Sequence, residues 1–461
     1  MNRGIADLED SRLPISDRRS QSRVTHHVSR LARCLSALLF LAGGCGTDRP
    51  PPPAAAPPGT TDLVARLDAS LAKAAQYLVS KQSDDGAWRS ETYGCFRDGP
   101  ELSPHILSGL FFLPQVGEGV RPAFDKGASF MMKLVTKDGQ VDPGPHGLNF
   151  PVLTAGSASR VVVLEKKDEP HLRARSAWLA YLRERQLAEA NGWPPDDPAY
   201  GGWGFSIEIP RKPKEGQPRE RFFESNMVAT IFGIAALRSL KVPLDDPIYP
   251  KVLAFVKRCQ NFSDDPEKAD PAFDDGGFFF IPDDPLQNKA GAAGKDRLGR
   301  TRFRSYGSMT ADGLRALLRC GLPPDHPRVA AARKWLETHF TAQTNPGRFA
   351  PDRELLRDAT YYYYCWAVAH ALLAVGGQEV QTQDGKVRWA EALAEELVRR
   401  QRPDGSWTNR FTDAKEDDPL VSTPWASAAL AICRGVITGQ HKAIGRPCLM
   451  GIPNATSQIP D

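Results

Sequence analysis

Gln82-Ser83-Asp84-Asp85-Gly86-Ala87-Trp88 and Gln401-Arg402-Pro403-Asp404-Gly405-Ser406-Trp407 carry glutamine, aspartate, glycine and tryptophan at the same spacing, near the two ends of a 461-residue chain. Weaker copies fill the interval. Gln343 is followed by Gly347 and Phe349, and Gln186 leads through a longer loop to Gly201-Gly202-Trp203-Gly204-Phe205. Gln260 leads through an insertion to Asp274-Asp275-Gly276-Gly277-Phe278, and Lys137-Asp138-Gly139 is the most eroded copy. With Gly86, Gly139, Gly202, Gly276, Gly347 and Gly405 as markers, the intervals run from 53 to 74 residues. Self-similarity at such a period marks a repeat architecture, here with room for two helices and their loops per unit.

The segments between markers have helical periodicity. The first helix of a unit is one-sided, as in Ala74, Tyr77 and Leu78 set against Lys73, Ser80 and Lys81. The second is apolar enough to be surrounded, as in Val228, Ile231, Phe232 and Ala235, or Leu314, Leu317 and Leu318, or Ala426, Ala429, Leu430 and Cys433. Two layers in six units predict an all-α ring or an open superhelix. Within the motif, glutamine can cap backbone groups at a helix end, glycine allows a positive φ and the aromatic staples adjacent units. Gln82, Gly86, Trp88, Gln401, Gly405 and Trp407 are therefore read as structural.

The glutamine-to-tryptophan motif resembles the repeat of squalene and hopene cyclases. Gly201-Gly202-Trp203-Gly204-Phe205-Ser206 is similar to the same enzymes, and Ser422-Thr423-Pro424-Trp425-Ala426-Ser427-Ala428-Ala429-Leu430 resembles the inner helix that follows such a motif. Ser305-Tyr306-Gly307-Ser308-Met309-Thr310 and Tyr361-Tyr362-Tyr363-Tyr364 resemble the prenyltransferase and squalene-oxidase repeat lipoproteins of planctomycete type, whose activity is undefined. The resemblance covers about residues 63 to 436. It implies an α/α toroid of six inner helices inside six outer ones, with a cavity at the end where the inner helices begin.

Composition, with 41% hydrophobic and 25% charged residues, is that of an ordinary globular protein. The net charge of +4 is concentrated in residues 1–44, which hold seven arginines against four acids. The remainder is close to neutral and offers nucleic acid no electrostatic footprint. Arg23, His26, His27, Arg30 and Arg33 precede the apolar run Cys34 to Ala42, which is too short for a permanent span but has the proportions of a signal-peptide core. Leu41-Ala42-Gly43-Gly44-Cys45 resembles a lipobox, although Ala42 occupies the place where leucine is usual. Cys45 is accordingly the expected lipidation site, and an envelope lipoprotein held to a membrane is the expected location. A cut by ordinary signal peptidase is the alternative. Residues 1–22 mix acids and bases unlike the start of a signal peptide, so a start codon nearer Val24 is expected. The proline-rich stretch within 46–62 reads as a tether, 63–440 as the toroid and 441–461 as a tail. Beyond Cys34 and Cys45, the cysteines Cys95, Cys259, Cys320, Cys365, Cys433 and Cys448 show no close-spaced disulfide framework.

The catalytic motifs of the resembling families are missing. A hopene-type cyclase needs Asp-x-Asp-Asp to protonate an alkene, terpene synthases need Asp-Asp-x-x-Asp for magnesium diphosphate, and protein prenyltransferases hold zinc through Asp-x-Cys. None occurs. The aspartate pairs 196–197, 245–246, 264–265, 283–284 and 417–418 each precede proline, which reads as turns and helix starts. No metal and no cofactor are expected, and Cys365 and His370, five apart on one helix, fall on different faces. Aromatics gather where inner helices should start, among them Phe222, Phe223, Tyr306, Tyr361, Tyr362, Tyr363, Tyr364, Trp366 and Trp425. Cavity-lining candidates are His105, Asn226, Tyr306, Met309, Tyr361, Tyr362, Cys365 and Trp425. The catalytic candidates are Asp312, Asp275 and Glu224, with Asp312 the most interesting as an acid in an otherwise apolar helix. Three functions follow: a toroid binding an isoprenoid, another apolar ligand or a protein partner without cyclase chemistry; a divergent terpenoid cyclase or prenyltransferase; and a polysaccharide-active or glycan-binding protein, since similar rings hold sugars in grooves of aromatics and paired carboxylates.

Overall fold

Each repeat unit folds as an outer and an inner helix because the two differ in how much of their circumference is apolar. In the computed structural model, which describes residues 60–113, 119–164, 168–214, 216–217 and 223–440, the outer helices are α1 (Thr60–Ser80), α3 (Val120–Met132), α5 (Glu169–Glu184), α7 (Ile248–Arg258), α9 (Pro327–His339) and α11 (Trp389–Arg400). The inner ones are α2 (Leu102–Leu110), α4 (Pro151–Leu164), α6 (Met227–Ser239), α8 (Gly307–Arg319), α10 (Tyr361–Val375) and α12 (Pro419–Ile437). On α1, Leu63, Leu67, Leu71 and Leu78 are buried along one stripe while Arg66 and Lys73 face water. Transfer of four leucines from water is worth roughly 6–12 kcal/mol before chain entropy is counted. All thirteen residues of α8 are buried. On α12, the described helix long and apolar enough to cross a membrane, 83% of the apolar window is buried inside the protein.

The inner helices pack in the order α2, α4, α6, α8, α10, α12, and α12 returns to α2. The ring is thus closed, and the open superhelix is excluded. Outer helix α1, the first described, packs on α12 and α11, the last two. Inner helices approach closely where side chains are small: a Cβ on Gly156 would lie 2.8 Å from the Phe232 carbonyl oxygen.

The motif glutamine does more than cap its own helix. Gln82 Nε2 donates to the carbonyls of Gly86 (2.9 Å) and Ala123 on α3 (2.8 Å). Gln186 does the same to Gly201 (2.9 Å) and Ile248 on α7 (3.4 Å), and Gln260 to Gly276 (3.0 Å) and Arg328 on α9 (2.9 Å). Gln401 donates to Gly405 (2.9 Å) and to Ser70 on α1 (2.9 Å), so the last motif pins the first outer helix and seals the ring. Trp88, Trp203 and Trp407 donate their indole N–H to Leu78, Leu182 and Leu397 in the preceding outer helix at 2.7, 2.8 and 2.8 Å. Their backbone N–H groups donate to Ser103, Thr230 and Thr423 on the following inner helix. One tryptophan therefore locks loop, outer and inner helix together.

Two readings need correction. The unit marked by Gly202 has its equivalent glycine at Gly201, two residues before the tryptophan, with φ 97° and its carbonyl on Gln186. A Cβ there would lie 1.9 Å from the Lys251 carbonyl oxygen, so only glycine fits. The Gln343 side chain, expected as a motif glutamine to cap backbone groups, instead accepts from Thr341 Oγ1 at 2.7 Å through Oε1. Two short hairpins were not anticipated: β1 (Ala292–Lys295) with β2 (Thr301–Phe303), and β3 (Glu379–Thr382) with β4 (Gly385–Arg388). Each strand is only three or four residues long, below what alternation can signal.

The Asp-Asp-Pro pairs are turns and helix starts, as the sequence indicates. Asp197, Asp246, Asp265, Asp284 and Asp418 each accept the backbone N–H two residues on, at 2.7–3.0 Å. Cys45, the apolar run before it, the proline-rich stretch, Phe222, Cys448 and the tail lie outside the described residues.

Candidate functional site

Two neighbouring cavities lie inside the ring and share His105, Ser157, Phe232 and Trp425 in their walls. The outer chamber, about 160 Å³, sits among the starts of α2, α4 and α12 and the loop carrying Asp413 and Lys415. Its apolar walls include Phe96, Phe150, Leu153, Phe232 and Trp425. The inner cavity, about 50 Å³, takes side chains from all six inner helices, among them Arg160, Arg315, Arg319 and Trp366. Asp413 is exposed and marks the opening. Lys415 holds φ 58°, a left-handed turn unusual for a lysine, and its Nζ lies 5.0 Å from the Tyr93 ring and 6.0 Å from the Phe150 ring.

Two polar atoms in the chamber wall have no partner among the described residues. Glu101 Oε1 accepts from Asn149 N (3.0 Å) and Nδ2 (3.3 Å), but Oε2 is buried without a bond, and Thr154 Oγ1 is likewise unbonded. Glu101 and Thr154 are 7% and 1% exposed. Burial raises the Glu101 carboxyl above its usual range. His105 Nε2 lies 3.0 Å from the Val421 carbonyl oxygen, which can only accept, so this nitrogen carries the proton. Burial holds the imidazole neutral by pushing its pKa down to about 4.

Of the eight cavity-lining candidates named from sequence, His105 and Trp425 face these cavities, and Trp366, one of the aromatics noted at the inner-helix starts, lines the inner one. The others form the walls behind. Tyr361, Tyr362 and Tyr364 donate their hydroxyls to the carbonyls of Ala342, Thr408 and Thr341 at 2.6, 3.3 and 2.9 Å, so three rings of the run tie α10 to its loops. Tyr363 donates to Asp312 Oδ2 at 2.6 Å and contacts Trp425 edge-on. Asn226 caps α6 by accepting from Ala229 N at 2.9 Å. Tyr306, Met309 and Cys365 are buried in the core.

Asp312 is fully buried between Tyr363 and Arg315, whose Nη1 is 3.0 Å away. Burial raises its pKa to about 6 against the opposing pull of Arg315 and Tyr363. It is not among the side chains on either cavity wall. Asp275 accepts from Ser305 Oγ (2.7 Å), Gly277 N (3.0 Å) and Trp335 Nε1 (3.2 Å), a loop-bracing role. Glu224 precedes α6 and is on neither wall. Among the described residues no three of histidine, cysteine, aspartate and glutamate cluster as metal ligands.

Sequence reading passed over Glu101, Thr154 and the arginines. A signal existed for the last: Arg160 is the sole charge in the apolar segment Pro151–Leu164, and Arg315 and Arg319 share α8 with Asp312. Also unforeseen is Glu416, fully buried, whose carboxylate accepts Tyr362 N (3.0 Å) and Tyr363 N (2.8 Å) and so caps α10 from a distant loop.

No known family model matches the chain, and no curated protein sequence matches it. Several solved structures are similar in fold. The type II terpene cyclase MstE from Scytonema, in complex with geranylgeranyl dihydroxybenzoate, superposes with a TM-score of 0.48 at 12% identity over 82% of this chain and 99% of that one. Its apo form gives 0.46 at 14% identity over 80% and 99%. The GH76A α-1,6-mannanase from Salegentibacter sp. HEL1_6 gives 0.47 at 11% identity over 80% and 99%. The protein is an all-α toroid, and at these identities the likeness extends to the fold alone.

Proposed function

We propose that the protein is a ligand-binding toroid that encloses a small amphipathic molecule in the chamber and carries out no alkene protonation. The unbonded Glu101 Oε2 and Thr154 Oγ1, set in aromatic walls, carry this reading. Buried polar groups are nearly always paired, and polar groups on an otherwise apolar ligand would supply the missing partners. The chamber volume limits the occupant. At about 160 Å³ it is near the size of a cavity that admits a benzene ring and well under the ~300 Å³ at which drug-sized pockets begin. A ring-sized group fits, and a longer isoprenoid would leave part of its chain outside.

The missing chemistry agrees with this. The one acid in an apolar inner helix, Asp312, is bound to Arg315 and Tyr363 and presents no proton to the chamber. We further propose that the chain is exported and tethered by lipid at Cys45, as the apolar run, the lipobox-like pentapeptide and the proline-rich stretch suggest.

Native mass spectrometry with lipid extraction, on protein purified from its own envelope, tests both. The expected result is a co-purifying small apolar molecule, with its occupancy reduced by Trp425→Ala and Thr154→Val, and an acylated Cys45. Turnover of squalene or a prenyl diphosphate by the purified protein would overturn the non-catalytic reading. A Cys45→Ser protein that stays in the membrane fraction would overturn the tether.

A further inference from the structure

Beneath the chamber, the inner cavity is walled by three guanidinium groups and no carboxylate. Arg160 comes from α4, Arg315 and Arg319 from α8. Two are held on aromatic faces, Arg160 at 4.8 Å from the Phe112 ring centre and Arg315 at 4.4 Å from that of Trp366. Stacking on a ring fixes the guanidinium plane and directs its N–H groups outward from the edge, the geometry that recognises oxyanions.

Arg319 lies in the last turn of α8, where a cation complements the helix dipole. Arg160 is not in the last turn of α4. Arg315 is paired with Asp312, which is absent from the cavity wall. The joint field of Arg315, Arg160 and Arg319 reaches His370, where it adds to burial in holding the imidazole neutral. His370 Nδ1 lies 2.9 Å from the Trp366 carbonyl oxygen and carries the ring proton, so the histidine adds no fourth cation. On the same wall Ser108 Oγ is buried with no bond among the described residues, a further hydroxyl donor.

We propose that this floor is an oxyanion site, and that the ligand of the chamber above carries a carboxylate or phosphate head group seated among Arg160, Arg315 and Arg319. The inference rests on the chamber being the binding site, and it defines the class of ligand as a short or single-ring apolar body ending in an oxyanion. The inner cavity, about 50 Å³, has room for such a head group and for little else.

The test compares 3-phenylpropanoate with 3-phenylpropan-1-ol, equal in shape but not in charge, by calorimetry and by quenching of tryptophan emission. The carboxylate should bind at least tenfold more tightly, equivalent to about 1.4 kcal/mol. Arg160→Gln should remove that advantage while leaving the affinity for the alcohol unchanged, which also shows the variant to be folded. Equal affinity for acid and alcohol would overturn the oxyanion site and leave the chamber reading intact. No binding of either at millimolar concentration would overturn both. Inorganic phosphate alone separates a head group from a free anion: if it binds as tightly as 3-phenylpropanoate, the site serves free anions and the linked-ligand proposal falls.

Discussion

Replacing Gln401 with alanine should open the ring at its seam. Gln401 makes three hydrogen bonds: Nε2 to the Ser70 carbonyl and to the Gly405 carbonyl, both 2.9 Å, and Oε1 from Ser70 Oγ at 2.7 Å. Ser70 is 4% exposed, so its hydroxyl and carbonyl would be left buried with no replacement from solvent. At about 1 kcal/mol net per bond, and more for a stranded buried group, the loss comes to roughly 2–4 kcal/mol. The control is Gln343→Ala, a residue of the same motif whose exposed side chain makes one bond to Thr341, for which roughly 0.5 kcal/mol or less is expected. Urea unfolding of both variants, followed by tryptophan fluorescence, measures the difference. Because Gln401 joins the last motif to α1, proteolysis of the native variant should also cut first around α1. Equal midpoints for the two variants would refute the view that the motif glutamine acts by bridging outer helices.

Gly405→Ala should abolish folding of the seam, since its Cβ would lie 2.4 Å from the Lys73 carbonyl oxygen at φ 89°, whereas Gly439→Ala, with open space around it and only its φ of 70° against it, should cost about 1–2 kcal/mol by melting temperature. Burial raises the Glu416 pKa to about 7, so between the ordinary carboxylate range and that value the folded protein binds more protons than the unfolded chain. Stability should therefore fall as pH rises from about 4.5 to about 7, by up to about 3 kcal/mol from this group, and Glu416→Gln should flatten that part of the profile in pH-dependent urea titrations. Differential alkylation read by mass spectrometry should find Cys259, Cys365 and Cys433 protected in the folded state, because burial both hides them and raises their thiol pKa, with half-buried Cys95 labelled first. Labelling of Cys365 at the rate of Cys95 would contradict the packing of α10.

Much of the fold was legible because its determinants are local and repeated. The Gln-to-Trp motif, the one-sided α1 and the apolar α6 and α12 each announce their role within a few turns, and the five Asp-Asp-Pro pairs announce caps. Locality also explains the errors. Gln343 and Gln401 look alike in sequence, yet of the two side chains only that of Gln401 hydrogen-bonds to a neighbouring helix, and whether Gly201 or Gly202 takes the positive φ depends on the approach of Lys251. The site was less legible. Asp312 stands out in sequence as an acid in an apolar helix, but its carboxylate is taken up by Tyr363 and Arg315, and it is on neither cavity wall.

By itself the sequence determined that the chain is all-α, that its helices come in six pairs, and that the motif residues are structural, since helical period and turn chemistry operate over a few residues. Only the tertiary structure decided that the ring closes, because closure is a contact between Gln401 and Ser70, distant in sequence. It alone brought Arg160, Arg315 and Arg319 around one space and left Glu101 Oε2 and Thr154 Oγ1 without a bond among the described residues. The physical reason is that a ring of parallel inner helices turns one narrow face of each toward a common axis, and which residues share that axis depends on how all six are rotated against their neighbours.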